Sequence, residues 1–158
     1  MRSEKPPVRS AQGKRFAIIS ARFYEELADW LEAGAQRALL ECGVSASDIT
    51  LYHVPGCFEL PLAASLAIGT NRFDAVVALG TVIRGQTPHF NLIAGECARG
   101  IMSVQLATGT PIGFGVLTTE TAAQAEERAD PKRGDKGYEA ALAAIAVLAI
   151  GNQVSPTG

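Results

Sequence analysis

Thr81, Arg84, Gln86, Thr87 and His89 crowd two hydroxyls, a guanidinium, an amide and an imidazole into the short stretch that follows the apolar run Ala75 to Leu79. Groups of these types at this density can hold an anion and move a proton. The run that delivers them is continuously apolar and contains two adjacent valines, which predicts a strand covered on both faces in a parallel sheet, closed by Gly80. A buried helix segment is the alternative reading, but the short length, the valines and the glycine favour the strand. Open α/β sheets bind ligands just beyond the carboxyl ends of their strands. Thr87 followed by Pro88 predicts an N-cap with proline at the first helical position, opening a helix from about Pro88 to Ala107. Free N–H groups and the positive end of that helix would then point into the loop Gly85-Gln86-Thr87 and favour a phosphate. His89 falls in the first turn, where a histidine reads as a capping or surface residue as readily as a catalytic acid–base.

The rest of the chain supplies elements to position this stretch. Residues 1–14 are polar and contain Pro6-Pro7; they read as a tail, either flexible or paired with a neighbouring subunit. Arg15 to Ser20 is a first strand, and helix one follows from about Glu25 to Glu41, with Leu27, Trp30, Leu31, Gly34, Ala38 and Leu39 on one face and Gly43 as its stop. Phe23, in the loop between them, reads as core or as an aromatic lid. Ile49 to Val54 is strand two, ended by Pro55-Gly56, and a short helix runs from about Glu59 to Ile68. His53 reads as strand packing or surface, and Glu59 as a charge complementing a helix N-terminus. Strand four spans Pro111 to Leu117. Its Gly113 and Gly115 make only a G-x-G, a weak nucleotide signal. Thr121 and Gln124 form a capping box for a helix ending near Ala129, with Arg128 as a favourable charge in its last turn. Lys132, Arg133 and Lys136 decorate a loop before a final helix, Tyr138 to Ile150, and Gly151 to Gly158 read as frayed.

With 158 residues and 47% hydrophobic content, residues 15–150 can bury one core and form one domain, with 151–158 as a C-terminal tail. A net charge of −2, from 14 basic and 16 acidic residues, gives no field suited to nucleic acid or an anionic membrane. Cys42, Cys57 and Cys97 lie far apart without C-x-x-C spacing, which suggests neither a disulfide framework nor a metal cluster and makes the cytoplasm the natural compartment. Neither a signal peptide nor an apolar span of 18 residues is expected.

GTVIRGQTPHF resembles the active-site segment of the 6,7-dimethyl-8-ribityllumazine synthase family. VPGCFELP (54–61), FGVLT (114–118), QAEERA (124–129) and GDKGYEAA (134–141) match that family's motifs in order and spacing, so the resemblance covers roughly residues 16–150. It implies a flavodoxin-like three-layer α/β/α sandwich with a four-stranded parallel sheet of order 2-1-3-4. It implies the penultimate step of riboflavin biosynthesis: condensation of 5-amino-6-(D-ribitylamino)uracil with 3,4-dihydroxy-2-butanone 4-phosphate, releasing water and orthophosphate, with neither metal nor cofactor.

By the same resemblance His89 is the catalytic proton donor and acceptor and Phe23 stacks on the pyrimidine. Cys57, where the family usually has alanine, Phe58 and Glu59 contact the pyrimidine and ribityl chain, and Thr81, Val82 and Ile83 line the site. Gln86 and Thr87 bind phosphate together with Arg128. Phe114 and Lys136 are implied to complete a neighbour's site, so the active unit is a pentamer at least, with a 60-subunit cage left open. Tyr24 stands where relatives commonly carry a smaller polar residue. A flavin- or nucleotide-binding module on the same scaffold and a structural shell protein are the readings from other classes.

Overall fold

Along β1 (Phe16–Ala21), β3 (Ala75–Ile83) and β4 (Ile112–Thr119) apolar residues fall on both faces, so the sheet needs a helical layer on each side. The computed structural model, which describes residues 6–154, has both. Phe16, Ile18, Val77, Leu79 and Leu117 join α1 (Glu25–Glu41), α4 (Ala122–Ala129) and α5 (Lys136–Val154) in one buried cluster. Ala17, Ile19, Val76, Ala78 and Val116 join α2 (Leu60–Gly69) and α3 (His89–Thr108) in the other. This division is the two-residue period of a strand read out on two faces. β2 (Ile49–Val54) is a half-buried edge. All three pairings are parallel and the order is β2-β1-β3-β4, the α/β/α sandwich and strand order that the resemblance implies.

Helix α1 and strand β2 coincide with the spans expected from the sequence; other boundaries move. β3 does not close at Gly80 but runs on to Ile83, because its register with β4 continues through Val82↔Thr118 to Ile83↔Thr119. β1 and β4 each start one residue late and end beyond the expected span, β4 by two residues. A 3-10 turn over Cys57–Glu59 precedes α2, which begins at Leu60 rather than Glu59. Helix α5 is longer than expected at both ends and takes up Lys136 and residues 151–154. Its length and composition would suffice to cross a membrane, correcting the expectation of no such span. Here Ala140, Ala141, Leu142, Ala144 and Ile145 are buried in the cluster shared with α1, while Val147, Ile150 and Val154 are exposed.

Gly113 owes its identity to α5, and Gly115 to α5 together with Leu79 of β3, whose Cδ2 a Cβ there would meet at 2.6 Å. A Cβ at Gly113 would lie 2.1 Å from the Ala140 carbonyl oxygen, so the G-x-G is the seat of that helix on β4. Part of the N-terminal tail also packs on its own chain: Ala11 is buried and its N–H donates to the Cys42 carbonyl at 2.7 Å. Residues 1–5 and 155–158 of the two tails lie outside the described residues.

Candidate active site

Three loops leave the carboxyl ends of β1, β2 and β3 on the same rim of the sheet, and a cavity of about 500 Å³ opens between them. From β1 it takes Phe23 and Tyr24; from β2, Pro55 to Glu59; from β3, Thr81 to Ile83, Gly85 and Thr87. The first turns of α3 add His89, Phe90 and Ile93.

Phe23 is 73% exposed and meets Tyr24 edge-on, with ring centroids 4.9 Å apart. Tyr24 is the N-cap of α1 but gives it no side-chain hydrogen bond. Instead it packs beneath Phe23 against the core cluster that holds α1. On the second loop, Glu59 Oε2 accepts the Gly56 N–H at 3.2 Å, which turns the chain sharply and presents Phe58 to solvent. Cys57 is buried beneath this turn. A Cβ at Gly80 would fall 2.5 Å from its Sγ, so a glycine in β3 makes room for the thiol. Burial pushes the Cys57 thiol up to about 12 and Cys97, behind it on α3, to about 11, leaving both protonated and unreactive at neutral pH.

Thr81 and Val82 are buried at the floor of the cavity. The Thr81 hydroxyl has no hydrogen-bond partner among the described residues, a buried polar atom left for a ligand or water. Beyond Ile83 the chain is held by Arg84. Its N–H donates to the Thr119 carbonyl at 2.9 Å, its Nε lies 2.7 Å from Glu120 Oε2, and its guanidinium sits 4.3 Å from the centre of the Phe90 ring. These contacts clamp the loop 84–88 between β4 and the start of α3.

The expected cap there is only partly realised. Pro88, not Thr87, is the N-cap, and Thr87 Oγ1 accepts the His89 N–H at a long 3.4 Å. His89 is thus the first residue of α3, exposed, and its imidazole makes no hydrogen bond among the described residues. A free imidazole at the head of a helix, beside an exposed loop of N–H donors, can exchange protons with a bound substrate.

A family model for 6,7-dimethyl-8-ribityllumazine synthase matches residues 13–151. The chain belongs to the 6,7-dimethyl-8-ribityllumazine synthase family. It is 45% identical over 144 residues to a relative of that name from Desulfatibacillum aliphaticivorans, covering 91% of this chain and 93% of the relative. It is 47% identical over 139 residues to one from Chlorobium luteolum, covering 88% and 90%, and 46% identical over 144 residues to one from Syntrophus aciditrophicus, covering 91% and 94%.

Of the residues carried over from this family, Phe23, Cys57, Phe58, Glu59, Thr81, Val82, Ile83, Thr87 and His89 line this one cavity together. Gln86 stands exposed in the same loop without lining it. Phe114, Arg128 and Lys136 do not line it either. Phe114 projects from β4 at 43% exposure; Arg128 Nη1 donates to the Gln124 carbonyl at 3.2 Å in the last turn of α4; Lys136 Nζ lies 2.8 Å from Glu139 Oε2. Sequence reasoning missed the cavity's Phe90 and Ile93. Ile93 lies one helical turn beyond His89, so i,i+4 spacing could have placed it on the same face.

Proposed function

We propose that this protein condenses 5-amino-6-(D-ribitylamino)uracil with 3,4-dihydroxy-2-butanone 4-phosphate to 6,7-dimethyl-8-ribityllumazine. The carrying observation is that an exposed aromatic (Phe23), the turn 56–59 and the imidazole of His89 converge on one cavity. In this reading the pyrimidine lies on Phe23, and its ring polar atoms meet the backbone around Cys57 and Phe58. The ribityl chain follows Glu59 and the end of β3, where the Thr81 hydroxyl has an open hydrogen bond. The butanone phosphate sits at the Gln86-Thr87 loop, within reach of His89.

The chemistry asks for positioning and proton transfer. The amine adds to the ketone and loses water to give an imine, phosphate leaves by elimination to an enol that becomes a carbonyl, and the second nitrogen closes the ring onto that carbonyl with loss of a second water to complete the lumazine. Holding both reactants in register can remove roughly 7–11 kcal/mol of barrier in favourable cases. His89 relays protons between the amine and the departing oxygens.

Phe114, Arg128 and Lys136 complete the site of a neighbouring subunit, with Arg128 clamping the phosphate there. Two observations support this division: all three stand outside their own chain's cavity, and the α2–α3 layer leaves Leu62, Leu66, Leu92, Met102 and Leu106 exposed. The unit is a homopentamer or larger, working in the cytoplasm, where three buried free thiols persist. The test is an assay with both substrates, following lumazine absorbance and phosphate release. Equal rates of the two support the reading, and a bound flavin without turnover overturns it.

A further inference from the structure

We propose that Glu32 is a positioning residue that ties the ends of β1 and β2 together and so sets the pyrimidine side of the cavity. This rests on the reading of Phe23 and the 56–59 turn given above. Glu32 lies on α1 and is only 7% exposed, although its neighbours Leu31 and Ala35 are core. One carboxylate oxygen accepts the Ser20 hydroxyl at 3.1 Å and Arg22 Nη1 at 2.5 Å. The other lies 2.9 Å from His53 Nε2. Ser20 and His53 are register partners on the adjacent strands β1 and β2, so one carboxylate bridges both strands at the level where they end.

What leaves this cluster is the site itself. Arg22 immediately precedes Phe23, and His53 stands just upstream of the Gly56–Glu59 turn. Phe23 is too exposed to be fixed by packing; apart from its edge contact with Tyr24, its place depends on the backbone on either side. That backbone is anchored twice at Arg22: its N–H donates to the Val54 carbonyl at 2.9 Å, and its guanidinium bonds Glu32 and, at 2.7 Å, Asp29. A carboxylate buried among apolar residues is poor economy for stability alone, since an apolar side chain of similar volume commonly stabilises as well or better. Its return is a fixed direction for the chain at two of the three loops that line the cavity. The third loop, held by Arg84, is independent of it.

The two halves of the site should therefore respond differently. In Glu32→Gln and in Arg22→Met, binding of ribitylaminouracil should weaken about tenfold, the scale of a small misplacement of a positioned group. Binding of the butanone phosphate, measured alone by calorimetry, should stay within about twofold, as should kcat at saturating pyrimidine. Arg22→Lys, which keeps the charge on a shorter and more flexible stem, should fall between. Unchanged pyrimidine affinity in Glu32→Gln, or equal weakening of both substrates alongside a fall in Tm, overturns the proposal. If the Glu32 variant does not fold, Arg22→Met, at a partly exposed residue, decides by the same split. A wild-type protein that binds neither substrate would refute the functional reading instead.

Discussion

At the residue scale, the free imidazole of His89 contrasts with His53, whose ring is already engaged by Glu32. General acid–base help is only one part of a template's effect, so His89→Ala should lower single-turnover rate by roughly one to two orders of magnitude, at or below the low end of such contributions. An unchanged single-turnover rate would remove His89 from the chemistry. The cysteines are chemically quiet by comparison. All three are free and buried, so a disulfide-exchange reagent at pH 8 should label none in the native protein and all three in denaturant; fast native labelling of Cys57 would contradict its burial. The raised thiols also set an alkaline limit. Cys57 and Cys97 keep their protons in the folded chain up to about 12 and about 11, against an ordinary 9.0. The unfolded chain releases those protons first, so the stability they contribute is complete below pH 9 and is lost as pH rises through 11 and 12. Thermal unfolding across that range should show a falling Tm that Cys57→Ala makes shallower.

At the element scale, the site depends on helices seated closely enough to hold strand ends in register. Helix α5 lies against β4 without a Cβ between them at Gly113, where one would meet the Ala140 carbonyl oxygen at 2.1 Å. Backbone cannot yield as a flexible side chain can, so Gly113→Ala should destabilise by about 1–3 kcal/mol or more, the cost of overpacking. Chemical denaturation would read this as a lowered midpoint, whereas an unchanged midpoint would mean that α5 shifts freely. Arg84 plays the matching part for α3. Its bonds to Thr119, Glu120 and Phe90 join β4 to the loop that leads into His89, so the helix start cannot drift from the cavity floor.

At the scale of the whole molecule, the cations assigned to the phosphate stand apart from the cavity of their own chain. The cavity holds an aromatic platform and an imidazole but no arginine or lysine among its lining residues, although one reactant is a phosphate ester. Arg128 and Lys136 lie on α4 and α5 of the same chain, outside it. Cyclic head-to-tail contacts in a pentamer would bring one subunit's cations to the next subunit's His89. Mixed assemblies of His89→Ala and Arg128→Ala subunits should then be more active than either variant alone, because some interfaces pair two intact halves. A monomer in analytical ultracentrifugation with full activity would exclude the shared site.

Much of this architecture follows from signals that act within a few residues. The apolar stripe of α1 places Leu27, Leu31, Ala38 and Leu39 inside, and the Thr121–Gln124 box forms as written, with Gln124 N–H donating to Thr121 Oγ1 at 3.1 Å. The valine-rich run of β3 and the turn at Pro55-Gly56 are equally local, and the spaced motifs identify the family and most of the residues lining the cavity. Tertiary structure decides what depends on a partner far along the chain. β3 runs past Gly80 because β4 supplies hydrogen bonds as far as Thr119, outweighing the local preference of a glycine to stop. Glu32 is buried because Arg22 and His53 arrive from two other elements to satisfy its charge, and no periodicity within α1 announces them. Gly113 looks like half a nucleotide motif until α5 is laid across it. In each case the sequence determines which groups are available, and the fold determines which of them meet, because a buried charge, a strand end or a close backbone approach is stable only once its distant partner is in place.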